Sequence, residues 1–247
     1  MERSRAYGTP RTAVVWQVLR AELARRDGEP LSVVDVGGGT GGFAVPLAES
    51  GHRVTVVDAS PDALAALTRR AADAGVADRV DAQQGDAGDL PSIVAPGSVD
   101  LVLCHSLLEV VDAPEWVASA LAGALRPGGA ASVLVANRAA AVLSRAVGGH
   151  LAAATALLAD PAGTTGHRDT LQRRYDTDSA TTLLAAAGLV VESVHGVRVV
   201  ADLVPGALLD AEPGSTDALT AFELAAAGLP PYRDVATQLH LLARRPV

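Results

Sequence analysis

An acid, a run of glycines and a second acid are the residues of this chain best placed to do chemistry. Asp35 lies near the end of an apolar run, 31–36, and Asp58 follows a second one, 54–57. The glycines after the first run are Gly37, Gly38 and Gly39. Glycine lets the backbone come close to a ligand, because a Cβ there would collide with it. An acid after the second strand accepts hydrogen bonds from both hydroxyls of a ribose, so the pattern predicts a nucleoside site.

The glycines alone do not identify the nucleoside, since Gly37, Gly39 and Gly42 also fit the dinucleotide fingerprint G-x-G-x-x-G. Asp35 stands where a dinucleotide-binding domain usually has an apolar residue. A carboxylate there can orient the turn and receive an ammonium group, whereas it would repel a pyrophosphate. S-adenosylmethionine carries such an ammonium and NAD carries the pyrophosphate. The pattern therefore favours S-adenosylmethionine over NAD and over a purely structural glycine turn.

A third acid follows the third predicted strand, 79–84. The spacing of Asp86 from that strand suits the adenine amino group, and Asp89 is its rival for this role. Ala87, the residue after Asp86, and Ala59, the residue after the ribose acid, complete the predicted cofactor site.

The composition suits helices packed on a parallel sheet. Hydrophobic residues make up 49% of the 247 residues but aromatic ones only 3%, so alanine, valine and leucine supply most of the core. A net charge of −8 is unfavourable for broad, non-specific binding of nucleic acid, although it leaves room for a local basic patch. The length allows one large α/β domain or two small ones, and we predict a single domain over 1–247.

The sequence contains no signal for a secreted, membrane or metal-binding protein. One cysteine, Cys104, excludes an internal disulfide and fits the reducing cytoplasm, where we expect the protein. Residues 1–5 lead to no apolar segment of a signal peptide, and no apolar run reaches the length of a membrane span. The 6 histidines are dispersed and form no ligand spacing with the cysteine, so we expect no metal site.

Strands and helices alternate along most of the chain, the pattern of a parallel sheet with helices on both faces. The predicted strands are 31–36, 53–57, 79–84, 99–104, 130–136, 189–200 and 235–243. An N-terminal helix within 1–28 starts from Thr9 and Pro10 and ends at Gly28. The residues 126–129, Arg-Pro-Gly-Gly, predict a turn that leads into the fifth strand.

The alternation is interrupted at 137–175. Two segments rich in alanine and leucine, 139–147 and 151–159, predict short helices, and a polar stretch with several basic residues follows them. A long insertion after the fifth strand suits a lid or a wall over a substrate. A helical hairpin on the surface is the alternative.

Taken together, these residues resemble class I S-adenosylmethionine-dependent methyltransferases and, more narrowly, the tRNA 5-carboxymethoxyuridine methyltransferase family. That family methylates the carboxylate of a modified wobble uridine. The motifs more specific to it are Tyr7-Gly8-Thr9 with Arg11, His105 with Glu109, and Gly196-Val197-Arg198-Val199. Two features depart from the family. Val110 stands where the family has tryptophan, and 162–174 holds few basic residues where the family's insertion can carry lysines.

The resemblance implies the fold of the class I methyltransferases. That fold is a Rossmann-like α/β sheet of seven strands with the last strand antiparallel. Here it would carry an N-terminal helical cap, 1–28, and a helical insertion after strand five, 137–175. The resemblance also implies S-adenosylmethionine as the cofactor and tRNA as a partner.

Two carboxylate-binding arginines follow from the resemblance. It assigns the methionyl carboxylate to Arg11. Arginine suits this role, since a guanidinium holds a carboxylate by two parallel hydrogen bonds. Arg198 is the candidate for the carboxylate of the acceptor, since it lies on a family motif. The other candidates for the acceptor are Arg138, Arg145, Arg173 and Arg174.

His105 and Glu109 follow the fourth strand at a spacing of four residues, so on a helix they would share a face. The carboxyl end of that strand borders the cofactor crevice, and we therefore expect His105 to line the methionine end of the site. A structural histidine is the alternative. An ionised carboxylate acceptor needs no general base, whereas a hydroxyl or amine acceptor would take one from His105 or Glu109.

Three functions remain open from the sequence. The first is a methyltransferase acting on the carboxylate of a modified wobble uridine in tRNA. The second is a methyltransferase for a small metabolite with the same donor site, which the acidic charge and the scarce basic residues of the insertion favour. The third is a cofactor-binding protein without catalysis. The spread of the resemblance over most of the chain favours the first.

Overall fold

The predicted alternation of strands and helices is present in the computed structural model, which describes residues 9–25, 28–164, 169–211 and 213–247. Tyr7 and Gly8 of the N-terminal motif, and Gly166, His167 and Arg168 of the insertion, lie outside the described residues. The strands are β1 (Ser32–Val36), β2 (Arg53–Asp58), β3 (Val80–Gln84), β4 (Val99–His105), β5 (Leu125–Ala136), β6 (Val190–Val197) and β7 (Gln238–Arg244). The helices are α1 (Ala13–Ala24), α2 (Ala44–Glu49), α3 (Pro61–Asp73), α4 (Leu90–Ile93), α5 (Pro114–Ala124), α6 (Arg138–Val147), α7 (Leu151–Ala159), α8 (Thr177–Ala186), α9 (Gly206–Ala211), α10 (Ser215–Ala226) and α11 (Tyr232–Val235).

The seven strands have the order β3-β2-β1-β4-β5-β7-β6, with the last strand antiparallel. β1 pairs in parallel with β2 on one side and with β4 on the other, so Val34 lies opposite both Thr55 and Val102. All of β1 after its first residue and nearly all of β4 are buried, as expected of parallel strands covered on both faces. The strand order confirms the predicted Rossmann-like methyltransferase sheet.

The described residues form two compact units. Unit 1 consists of the described parts of 1–25, 135–180 and 193–240, and unit 2 of the described parts of 26–134, 181–192 and 241–247. The glycine turn and the predicted cofactor acids belong to unit 2, whereas Arg11, the insertion helices and Arg198 belong to unit 1. The assignment of 1–247 to a single domain with a lid at 137–175 stays a prediction.

Local sequence explains where the helix after β2 begins. The hydroxyl of Ser60 accepts a hydrogen bond from the backbone N–H of Ala63 at 3.3 Å, and Pro61 takes the first helical position of α3. Leu64 and Leu67 are buried on the inner face of this helix. The cap therefore fixes the loop that leads away from Asp58.

The predicted cap of the N-terminal helix is wrong. α1 begins at Ala13, after Thr12, and the side chain at that cap position makes no capping hydrogen bond. Thr9 contributes its backbone carbonyl instead, which accepts from the N–H groups of Thr12 and Ala13 at 2.9 and 3.0 Å. A turn therefore precedes the helix. The helix ends at Ala24, before Gly28.

The turn predicted at 126–129 lies inside β5. Val99 pairs with Leu125 and Leu101 pairs with Ala130, so residues 126–129 bulge out of the ladder. Gly128, with a φ of +75°, takes the left-handed conformation that this bulge requires. The turn-forming residues were identified correctly, but pairing of the strand begins before them.

Two predicted strands are shorter than their apolar runs. β6 ends at Val197 rather than at 200, because Arg198 has a φ of +62° and leaves the extended conformation. β7 begins at Gln238 rather than at 235, since residues 232–235 form the short helix α11.

Candidate active site

A cavity of about 450 Å³ lies in unit 2. Loops that follow β1, β2, β3 and β4 line it, at the edge where ligands bind in open α/β sheets. The predicted site residues in its wall are Gly37, Asp58, Ala59, Asp86 and Ala87. The remaining wall is largely the segment 107–117, including Leu107, Val110 and Trp116.

The glycine turn after β1 requires glycine for two different reasons. Gly37 and Gly39 have φ values of +72° and +55°, which side chains other than glycine adopt at a cost. At Gly38 the reason is space, because a Cβ would lie 2.6 Å from Cγ of Asp35 and 2.9 Å from Cγ1 of Val56. The turn therefore packs directly on the carboxyl group of Asp35.

Asp58 connects the two loops of the predicted ribose site. Its Oδ2 accepts a hydrogen bond from the backbone N–H of Gly39 at 2.8 Å, and its Oδ1 accepts from the N–H of Ser60 at 2.9 Å. Each carboxylate oxygen has a further lone pair, so two hydroxyls of a ribose can still bind. Its place in the cavity wall agrees with the predicted role.

Asp35 is buried beneath the turn, with 3% of its surface exposed. Burial, followed by the nearby charge of Asp58, raises the pKa of Asp35 to about 7. A cation next to this carboxyl group would oppose both effects, because it favours the ionised form. That Asp35 holds an ammonium group stays a prediction.

Asp86 and Asp89 have different surroundings. Asp86 is exposed, lines the cavity and precedes a turn of 3-10 helix. Its Oδ1 accepts a hydrogen bond from the backbone N–H of Gly88 in that turn at 3.4 Å. The Oδ2 of Asp89 accepts the backbone N–H of Asp86 at 2.9 Å, which completes a capping box. This arrangement favours Asp86 over Asp89 for the adenine end.

His105 ends β4 and is not followed by a helix. Ser106 has a φ of +55°, and the next residues form a turn, so the predicted shared helical face of His105 and Glu109 is wrong. The Nε2 of His105 lies 2.9 Å from Oγ of Ser132, and its ring makes an edge contact with Phe43 at a centroid distance of 4.7 Å. Burial lowers the pKa of His105 to about 4, so the imidazole is neutral at pH 7.

Glu109 is buried, with 2% of its surface exposed. Cys104, which precedes His105, is also buried, and burial raises the pKa of its thiol. Neither His105 nor Glu109 belongs to the wall of the cavity described above. The structure thus favours the structural alternative for His105.

Most of the predicted carboxylate-binding arginines already bind acids of unit 1. Arg11 and Arg198 both bind Asp202, with Nη2 at 3.3 and 2.5 Å from its carboxylate oxygens. The other ion pairs are Arg138 with Asp176 at 2.8 Å and Arg174 with Asp169 at 2.5 Å. Arg145 is exposed, and Arg173 donates to Oε1 of Gln172 at 3.1 Å.

The wall formed by 107–117 was not predicted. A Cβ on Gly37 would lie 3.2 Å from Cδ1 of Leu107, so this segment contacts the glycine turn. Trp116 is 58% exposed although the chain has only 2 tryptophans. A scarce tryptophan soon after the fourth strand is the signal in the sequence that could have indicated a ligand-binding wall.

Within the described part of the chain, no group of three or more His, Cys, Asp and Glu side chains is arranged to hold a metal ion. None of the helices in the same residues is long and apolar enough to cross a lipid bilayer.

Comparison with known proteins agrees with this geometry. The methyltransferase domain family matches residues 33–129, which include the glycine turn and the three acids. The tRNA 5-carboxymethoxyuridine methyltransferase of Escherichia coli K12 is 30% identical over 97% of this chain and 91% of its own length. A ubiquinone biosynthesis O-methyltransferase of Xanthomonas euvesicatoria pv. vesicatoria is 32% identical over 67% of this chain and 65% of its own length.

Solved structures with the same fold have lower sequence identity. An S-adenosylmethionine-dependent methyltransferase from Mesorhizobium loti has a TM-score of 0.61 at 20% identity, covering 93% of this chain and 97% of its own. The [4+2]-cyclase SpnF has a TM-score of 0.63 at 19% identity, covering 94% and 80%. At such identities the similarity concerns the fold alone.

Proposed function

Because the chain belongs to the tRNA 5-carboxymethoxyuridine methyltransferase family of S-adenosylmethionine-dependent methyltransferases, we propose that its acceptor is the carboxylate of a modified wobble uridine in tRNA. The observation that carries this acceptor is the extent of the match. The match to the E. coli tRNA enzyme covers 97% of the chain, whereas the ubiquinone-pathway relative matches 67%. A tRNA acceptor also assigns the reaction to the cytoplasm.

The cavity of unit 2 fits the nucleoside part of the cofactor. Asp58 would take the ribose hydroxyls, Asp86 the adenine amino group, and the backbone of 37–39 would lie against the ligand, where side chains are absent. Ala59 and Ala87 would pack beside the base, and Asp35 would hold the ammonium. Arg11 would take the methionyl carboxylate. The cofactor supplies an activated methyl group on a sulfonium.

The state of the histidine supports an acceptor that is already ionised. A general base works best with a pKa near the working pH, and the pKa of His105 is lowered to about 4. Its Nε2 is also within hydrogen-bond distance of Ser132. A carboxylate acceptor needs no proton removed, so the protein has only to align the acceptor oxygen with the methyl group and exclude water.

O-Methylation of a hydroxyl on a small molecule is the second candidate. The similarity to ubiquinone biosynthesis O-methyltransferases and the net charge of −8 favour it. The same donor site would serve both reactions, so the cavity of unit 2 does not discriminate between them.

Methyl transfer to tRNA that contains 5-carboxymethoxyuridine tests the proposal directly. Purified protein is incubated with such tRNA and S-adenosylmethionine, and the digested nucleosides are examined by mass spectrometry. We expect the methyl ester of the modified uridine. In a parallel reaction a phenolic acceptor is offered, with Asp58→Ala as the inactive control in both.

If the protein methylates the phenol but not the tRNA, the second candidate replaces the proposal. Binding of S-adenosylhomocysteine without transfer to either acceptor would contradict both.

A further inference from the structure

The segment 196–202 in unit 1 contains a family motif and has an unusual backbone. Arg198 has a φ of +62°, a left-handed conformation that arginine rarely adopts. Gly196 has no room for a side chain, because a Cβ would lie 2.8 Å from Cα of Arg233 and from Cβ of Ala236. Such a backbone persists only where its surroundings impose it.

A buried glutamate imposes this conformation. The carboxylate of Glu223, on α10, has no exposed surface and accepts three backbone hydrogen bonds from the residues after Arg198. The donors are the N–H groups of Val199, Val200 and Ala201, at 2.8, 2.9 and 2.8 Å. The chain therefore turns sharply, and the side chains of Arg198 and Asp202 meet.

Asp202 is shared between two cations. Its Oδ2 lies 2.5 Å from Nη2 of Arg198 and accepts a hydrogen bond from Oγ1 of Thr237 at 2.9 Å, while its Oδ1 lies 3.3 Å from Nη2 of Arg11. The side chain of Asp202 is 21% exposed, whereas that of Arg11 is 63% exposed. Two guanidinium groups on one carboxylate leave an excess of positive charge, which attracts a further anion.

The three nitrogens of the Arg198 guanidinium have different surroundings. Nη2 binds Asp202 and Nη1 is 3.4 Å from Oε1 of Gln238. Nε–H is buried and has no acceptor among the described residues. The contact with Asp202 is much the shorter of the two side-chain contacts, so Asp202 contributes most to the orientation of this guanidinium.

We propose that Asp202 is a positioning residue that couples the arginine of the cofactor to the arginine of the acceptor. This inference rests on the proposed function, in which Arg11 binds the methionyl carboxylate and Arg198 binds the acceptor carboxylate. Because both arginines share one carboxylate, loss of either changes how firmly Asp202 holds the other. Cofactor and acceptor binding are then linked through unit 1.

The coupling is tested first without any acceptor, by calorimetric titration with S-adenosylhomocysteine. Arg198→Ala leaves Asp202 to Arg11 alone, so we expect the affinity for the ligand to fall about threefold or more, within the range of coupling in ion-pair networks. In the Asp202→Asn background the same Arg198→Ala change should have no effect. Asp234→Asn, which removes a carboxylate from an ion pair with Arg233, is the matched control.

Steady-state methylation of the tRNA completes the test. Asp202→Asn should raise the KM for tRNA severalfold with little change in kcat, because Arg198 loses its orientation but no reacting group is removed. Thermal unfolding of each variant verifies that the fold survives. Equal effects of Arg198→Ala with and without Asp202, or a silent Arg11→Ala, would overturn the coupling. A wild-type protein inactive on tRNA would overturn the proposed acceptor, while the calorimetric cycle would still decide the coupling.

Discussion

Two carboxyl groups at the glycine turn carry the proposed contacts to the cofactor. Asp58 holds the glycine turn through the N–H of Gly39, so a ligand meets a turn that is already ordered. Asp35 beneath it has its pKa raised to about 7 by burial and by Asp58. Replacing each residue should therefore leave a distinct signature.

Asp58→Ala should weaken the binding of S-adenosylhomocysteine by about 2–3 kcal/mol, because hydrogen bonds to a charged acceptor are lost. Calorimetry measures the change. Asp62→Ala, an exposed carboxylate in the first turn of α3, should bind the ligand as the parent does. Parent-like affinity of Asp58→Ala would exclude Asp58 as the ribose ligand.

The raised pKa of Asp35 should make stability fall as pH rises. The folded state keeps a proton on Asp35 up to about pH 7, whereas the unfolded chain loses it near the ordinary value of 3.8. Between these values the folded state binds more protons, so its stability decreases with pH and levels off above about 7. The decrease is at most about 1.4 kcal/mol per pH unit.

Urea unfolding of the parent and of Asp35→Asn at several pH values between 4 and 8 measures this contribution, because other titrating groups cancel in the comparison. We expect Asp35→Asn to become more stable relative to the parent as the pH rises. Parallel curves would show that Asp35 is ionised throughout.

At the scale of elements, the loops after β1 and β4 contact each other in the wall of the unit 2 cavity. The turn after β1 packs on Asp35 and Val56, and Leu107 from the loop after β4 lies against Gly37. Little space is left around the turn for additional atoms. The shape of the cavity therefore depends on having glycine, which lacks a side chain, at these positions.

Gly38→Ala should destabilise the protein by about 1–3 kcal/mol, the usual cost of overpacking, because its Cβ would meet Asp35 and Val56. Gly42→Ala is the matched control, since no atom lies within 4 Å of the position of its Cβ and its φ is not positive. The urea midpoint of unfolding and the affinity for S-adenosylhomocysteine are measured for both variants. Equal stability of the two would mean that the turn is looser than the structure indicates.

At the scale of the whole molecule, charge limits how this protein can bind RNA. The chain has a net charge of −8, and Arg138 and Arg174 of the insertion are already paired with acids. Binding of tRNA would therefore depend on few phosphate contacts and on recognition of the modified base.

Arg145→Ala should reduce the salt dependence of tRNA binding. Arg145 is exposed at the end of α6, and each phosphate contact contributes about 0.7–0.9 to the slope of log affinity against log salt. Filter binding at several salt concentrations should show a slope smaller by about that amount. Arg69→Ala, at an exposed position of α3, is the control, and an unchanged slope for Arg145→Ala would exclude a phosphate contact.

The sequence by itself determined the fold class, and it predicted which acids lie at the cavity. An apolar run followed by glycines, and an acid after the next run, are local patterns whose geometry depends on neighbouring residues only. Asp58 and Asp86 both lie in the cavity wall, and their roles as cofactor ligands stay predictions. The carboxyl ends of parallel strands meet at one edge, so the spacing of each acid from its strand was sufficient.

Only the tertiary structure decided what depends on contacts distant in sequence. Leu107 reaches Gly37 because β4 lies beside β1, and the order of strands is not encoded in either segment alone. His105 is neutral because folding buries it, although its position after β4 suggested a base. Arg11 and Arg198 looked independent in the sequence, and the fold joins them through Asp202, a residue that no motif identified.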